Sequence, residues 1–126
     1  MENIILEFDK RKVSTDEIIE HIDYYLDKSN EAMSLKSSGD IKGARVIFKD
    51  LRSKLQLEKK YYEKDAVQKH IIGNNIYVNY ASEIRNALVK QTNPNSNDML
   101  SSNLYDIYSY MSYCKTVINN FIEKEL

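Results

Sequence analysis

Chemistry in this chain would have to come from two histidines, one cysteine, a crowd of carboxylates and ten tyrosines. A histidine serves as a metal ligand or proton carrier when a second ligand or an orienting group stands at the right spacing. His21 and His70 have no Cys or His at metal-ligand spacing. Both read as surface or boundary residues of helices. Cys114 falls on an apolar helical seam with no His beside it in the chain, which reads as a buried, inert thiol. The carboxylates form neither a Glu-x-x-His pair nor a calcium-loop pattern. Gly39, Gly43 and Gly73 are the only glycines and cannot build a phosphate-binding loop. No catalytic residue, cofactor or metal is expected, and the chain does not read as an enzyme.

Binding is the remaining chemistry. The last helical segment carries Tyr105, Tyr108, Tyr110 and Tyr113. Tyrosine is large, amphipathic and loses little entropy when fixed, so it suits contact surfaces. Tyr108 borders the core seam, whereas Tyr105, Tyr110 and Tyr113 are expected at least partly outside it. Lys, Asn, Ile and Tyr are abundant, as AT-rich codons would make them, which points to a low-GC bacterium, its phage or its plasmid. That bias also accounts for some of the tyrosines. A second candidate surface is the basic series Lys42, Arg45, Lys49, Arg52, Gln56 and Lys59 or Lys60, whose Arg45, Lys49 and Arg52 could meet an acidic partner.

The stretch Ala81-Ser82-Glu83-Ile84-Arg85-Asn86-Ala87-Leu88-Val89-Lys90 locally resembles the signature turn of HEPN-type helical ribonucleases. In that family an Arg, followed by a polar residue, precedes a His by four to six positions. Arg85 and Asn86 match; Lys90 and Gln91 stand where the His belongs. The resemblance implies a degenerate HEPN-like ribonuclease or RNA-binding helical protein, with Arg85, Asn86 and Lys90 as its contacts. It is the alternative to a non-enzymatic interaction module, which would be an inhibitor, an antitoxin or immunity protein, an anti-defence protein or an adaptor. A third reading is a self-associating structural bundle.

These side chains need elements to hold them. At 126 residues the chain is sized for one domain with its own core. Three Gly and one Pro are too few for the turns of an all-β fold. The expectation is all-α: an antiparallel up-down four-helix bundle over residues 14–126, preceded by an arm at 1–13. In the arm, Ile4, Leu6 and Phe8 alternate, which suits a short strand as well as a short helix. A lone strand there would lie across the bundle or pair with its copy in a dimer.

Ser14 to Ile72 reads as a helical hairpin turning at Ser37-Ser38-Gly39-Asp40. Ser14 with Glu17 forms a capping box, flanked by a Val13–Ile18 staple. The first apolar stripe holds Ile18, Ile19, Ile22, Tyr25, Leu26, Ala32 and Met33, with Ser29 as a gap. The second holds Ile41, Ala44, Ile47, Phe48, Leu51, Leu55, Tyr62 and Ala66. Beside the first runs an acidic ridge of Asp16, Glu20, Asp23, Asp27 and Glu31. Counting outward from the turn, the ridges are expected to meet as Glu31–Arg45, Asp27–Lys49, Asp23–Arg52 and Asp16–Lys60.

Gly73-Asn74-Asn75 marks a break, and a third helix over 75–92 presents Tyr77, Tyr80, Ala81, Ile84, Leu88 and Gln91 on one face. The loop Thr92-Asn93-Pro94-Asn95-Ser96-Asn97-Asp98 ends it. The final helix, from Met99 or Ser102, spaces Leu104, Ile107, Met111, Cys114, Ile118, Phe121 and Glu125 as a bundle seam.

A net charge of −1 makes nucleic acid a poor default partner, and another protein or a second copy is expected instead. One cysteine fits a reducing cytoplasm. No apolar run reaches a membrane span, and the start lacks the basic-then-apolar layout of a secretion signal.

Overall fold

Ser14 ends a strand and starts a helix. Its hydroxyl accepts from the Glu17 amide at 3.1 Å, opening α1 over Thr15–Ser37. The structure, a computed structural model, describes residues 4–8, 11–91 and 93–125. It is 79% helical. Four elements follow α1: α2 Ile41–Glu63, α3 Asp65–Ile71, α4 Asn75–Val89 and α5 Leu100–Glu125.

The arm is neither a lone strand nor a helix. Ile5–Phe8 (β1) pairs antiparallel with Arg11–Ser14 (β2), Ile5 opposite Ser14 and Phe8 opposite Arg11. The strand therefore finds its partner within the chain. Residues 9 and 10, which join the strands, lie outside the described residues, as do 1–3 and 92 and the side chains of Phe8 and Glu125. The expected places of Thr92 in the loop, Phe8 in the alternation and Glu125 on the seam thus fall outside the described residues too. The buried Tyr77 hydroxyl donates to Val13 O at 2.6 Å and Ile4 O at 3.1 Å, fastening the hairpin to α4.

The turn between α1 and α2 follows from Gly39. Its φ of 97° lies in the left-handed region that glycine enters without a Cβ clash. Gly39 N bonds Lys36 O at 3.1 Å and Asp40 N bonds Leu35 O at 2.8 Å, closing the last turn of α1 in a Schellman pattern. Asp40 then accepts from the Gly43 amide at 2.8 Å and caps α2.

The second helix is shorter than its apolar stripe suggested. It stops at Glu63, Lys64 is extended, and α3 sets off separately. Ala66 is consequently exposed rather than on the stripe, and Val67 and Ile71 are the buried residues of α3. Gly73 turns at φ 83°, and Asn74 caps α4 by accepting from Ile76 N at 3.2 Å.

The core runs through Ile18, Ile22, Phe48, Leu51, Leu55, Tyr77, Tyr80 and Ile84 into Leu104, Ile107, Met111, Cys114 and Ile118. Burial of these side chains is worth about 1.5–3 kcal/mol each for the larger aliphatics. At the end of the seam Ile122 is buried and Phe121 only half-buried, because the expected spacing slips by one residue in the last turns. Ile41 is exposed, and Leu88 packs only partly. Helix α1 packs on α5 and α2; α4 packs on α5 and α2; α2 barely touches α5. Helices α2 and α5 thus stand at opposite corners of the set.

Candidate functional site

The expected meeting of the ridges does not occur. Glu31 pairs with Lys28 on its own helix at 3.1 Å, and Asp23 with Lys115 of α5 at 2.6 Å. Arg45 donates to Asn97 Oδ1 at 2.6 and 2.9 Å and to Pro94 O at 3.2 Å. Arg52 donates to Gln91 Oε1 at 3.1 Å. Lys42, Lys49 and Lys60 form no ion pair among the described residues.

The cause is the side on which α1 lies. It packs on the Asp50–Lys54–Glu58 flank of α2, which leaves the cationic flank turned toward the end of α4 and the loop beyond it. Tyr24 donates to Asp50 at 2.8 Å, and His21 and Tyr25 reach Glu58. Of the acidic series on α1, Asp23 reaches Lys115 of α5, whereas Glu20 borders the cavity between α1 and α2.

Between α1 and α2 this packing builds a cluster around Glu58. Its carboxylate accepts from His21 Nδ1 at 2.6 Å, from the Tyr80 hydroxyl at 2.7 Å, and from the Tyr25 hydroxyl. The hydrogen bond to Glu58 raises the His21 pKa against the opposing effect of partial burial. Burial, with Glu58 nearby, pushes the Tyr25 and Tyr80 hydroxyls far up. A cavity of about 490 Å³ opens beside the cluster, lined by Glu20, His21, Tyr24, Tyr25, Lys54, Leu57 and Glu58. A histidine held by a carboxylate can accept or deliver a proton. Here two tyrosines also occupy the carboxylate, so the cluster is a polar tie joining α2 to α1 and α4.

His21 is half-buried, as a boundary histidine should be, and His70 is exposed. Neither lies on α4, where Arg85 and Asn86 are exposed, as is Lys90 just past its end. Glu83, beside them, is buried, which raises its pKa against a hydrogen bond from Asn86. Cys114 is fully buried and its thiol is pushed up to about 12 by burial and then by Glu83; Sγ donates to Asn79 Oδ1 at 3.3 Å. Among the described residues no group of three His, Cys, Asp or Glu could hold a metal. No helix of the described residues is long and apolar enough to cross a membrane.

The outer side of α5 differs from every other helix surface. Its exposed residues from 101 to 120 are Ser101, Ser102, Tyr105, Tyr108, Ser109, Tyr113, Thr116 and Asn120. None of these is charged, in a chain that is 29% charged, although the half-buried Asp106 and Lys115 border the face. Tyr105 and Tyr113 are each 60% exposed, Tyr108 is 36% exposed, and Tyr110 is half-buried. The serines between the tyrosines could have revealed this face in the sequence; attention to the tyrosines alone passes over them. Glu58 had no local mark at all, although His21 and Glu58 stand at about the same level when counted outward from the turn.

Comparison with protein-family models, with curated proteins and with solved structures finds no match.

Proposed function

We propose that this chain is a non-enzymatic protein–protein interaction module that engages its partner through the outer face of α5. The observation that carries the reading is the run of exposed, uncharged Ser and Tyr side chains there. Tyr and Ser together are what binding loops of antibodies use: tyrosine gives broad rigid contact, and serine gives adaptable hydrogen bonding. The exposed centre of this face carries no charge, and only Asp106 and Lys115 at its edges would lose water on association, so desolvation opposes burial less than on a charged surface. Folding gives no reason to leave three large rings in solvent on one helix.

The reading includes an antiparallel up-down four-helix bundle, supported by the packing of α1 on α2 and α5 and of α4 on both. It takes the protein to be a small inhibitor, antitoxin or immunity protein, anti-defence protein or adaptor of the cytoplasm of a low-GC bacterium or its phage. The AT-rich composition and single cysteine support that part.

Light scattering sets the first branch of the test. For a dimer, Tyr105→Ala with Tyr113→Ala should dissociate it, which would make the face a self-association surface. For a monomer, the partner isolated by pull-down should bind the doubly substituted chain at least about tenfold more weakly, a loss of about 1.4 kcal/mol. Circular dichroism should stay helical. Unchanged affinity would remove α5 from the interface.

A further inference from the structure

Among the described residues, the cationic flank of α2 has a single acidic partner, Glu63 of its own helix. Lys42, Arg45, Lys49, Arg52, Lys59 and Lys60 fall within a sector of about 100° and span about 27 Å of helix at 1.5 Å per residue. Asp50 and Glu58 lie on the other flank, held by Tyr24 and by the His21 cluster. Among the described residues the Glu63 pairing, at 3.2 Å, neutralises Lys59, and no ion pair reaches the other five cations. Arg45 and Arg52 hold neutral acceptors near the end of α4, so both keep full charge. The chain's net charge of −1 conceals this separation, because the compensating carboxylates are spread over the other elements, with Asp16, Glu17, Glu20, Asp23, Asp27 and Glu31 on α1.

Two shallow concavities follow the stripe, of about 210 and 410 Å³, and both are bordered by Ser53 and Gln56. One is edged by Lys49 and Arg52, the other by Lys59 and Lys60. The neutral hydrogen-bonding groups Ser53 and Gln56 stand between the cations at 42–52 and those at 59–60, so the row offers both charged phosphate contacts and neutral sugar or phosphate contacts. The only aromatic ring at their edge is Phe48, which is buried, so an unpaired base has nothing to stack on.

We propose that this flank of α2 binds the phosphate backbone of double-stranded DNA without regard to sequence. A straight row on one helix fits the major groove of B-form DNA, which is about 12 Å wide and admits an α-helix. The deep, narrow major groove of A-form RNA does not. About 27 Å of helix passes roughly eight phosphates of one strand at 3.4 Å each. The surface is separate from α5 and stands at the opposite corner, so either can fail without the other.

The test measures fluorescence anisotropy of a 20-base-pair DNA duplex of arbitrary sequence, at 50 and 200 mM salt. Phosphate contacts from Lys42, Lys49 and Lys60 alone predict that affinity falls at least about 40-fold between those salts. Lys42→Glu, Lys49→Glu and Lys60→Glu together should abolish detectable binding while leaving the fold intact, since none of the three holds a partner among the described residues. Lys12→Glu, Lys36→Glu and Lys124→Glu together change net charge equally and should cost less than about threefold. Equal losses in the two triple variants would overturn the proposal, as would absence of binding by the unaltered chain at 50 mM salt and 100 µM protein, a concentration at the weak end of nonspecific DNA affinities of about 10⁻⁴ to 10⁻⁶ M. Binding of an RNA duplex at least as tight as that of DNA would overturn the assignment to B-form DNA.

Discussion

At Glu58 a single carboxylate gathers donors from two neighbouring helices, and the donor among them that ordinarily titrates near neutral pH is His21. The folded pKa of His21 is raised by its bond to Glu58. A raised histidine stabilises the fold fully below its unfolded value of about 6.5 and loses that contribution as pH climbs through the folded value. His21→Gln keeps a donor but cannot titrate. The urea midpoint of the unaltered chain should therefore exceed that of the variant most at pH 5.5, with the gap closing toward pH 9. A gap that widened with pH would show that His21 is not held as a cation. Little of this was visible in the residues: His21 looked like a boundary histidine, and the carboxylate that orients it is 37 positions away. Cys114 was legible because its place on the seam fixed its burial.

Among the elements, caps carried the most information. Ser14 caps α1 through the Glu17 amide as the expected capping box implies, although the Glu17 side chain turns to Arg11 instead of closing the box, and the turn expected at Ser37-Ser38-Gly39-Asp40 is where α1 ends and α2 begins. The break at Lys64 could not be read from local chemistry, since no glycine or proline marks it and its cause is packing. The strand hairpin escaped for a similar reason: no Asn-Gly or Asp-Gly pair sits between β1 and β2. The ridges failed on handedness. Charge patterns along two helices fix their register but leave open which flank each turns to the other, and that choice is made by where α4 and α5 close. A double-mutant cycle tests the outcome. Asp27→Lys with Lys49→Glu should show coupling near zero, whereas Asp23→Ala with Lys115→Ala should show up to about 1 kcal/mol, the ceiling for such an exposed pair. Coupling at 27 and 49 exceeding that at 23 and 115 would restore the ridge contact.

For the molecule as a whole, two outer corners carry opposite chemistries: cations in a row on α2, uncharged Ser and Tyr on α5. The helical class was legible from scarce glycine and proline and from four apolar stripes. The α5 face was half legible, its tyrosines by type and its lack of charge only once exposure was known. The most direct measurement of the central claim is site-specific photo-crosslinking in the source cell. Tyr105→p-benzoylphenylalanine and Tyr113→p-benzoylphenylalanine should each give a discrete adduct with another protein or a second copy, while Val46→p-benzoylphenylalanine, 69% exposed on α2, should not. Adducts at position 46 with none at 105 and 113 would contradict α5 as the interface.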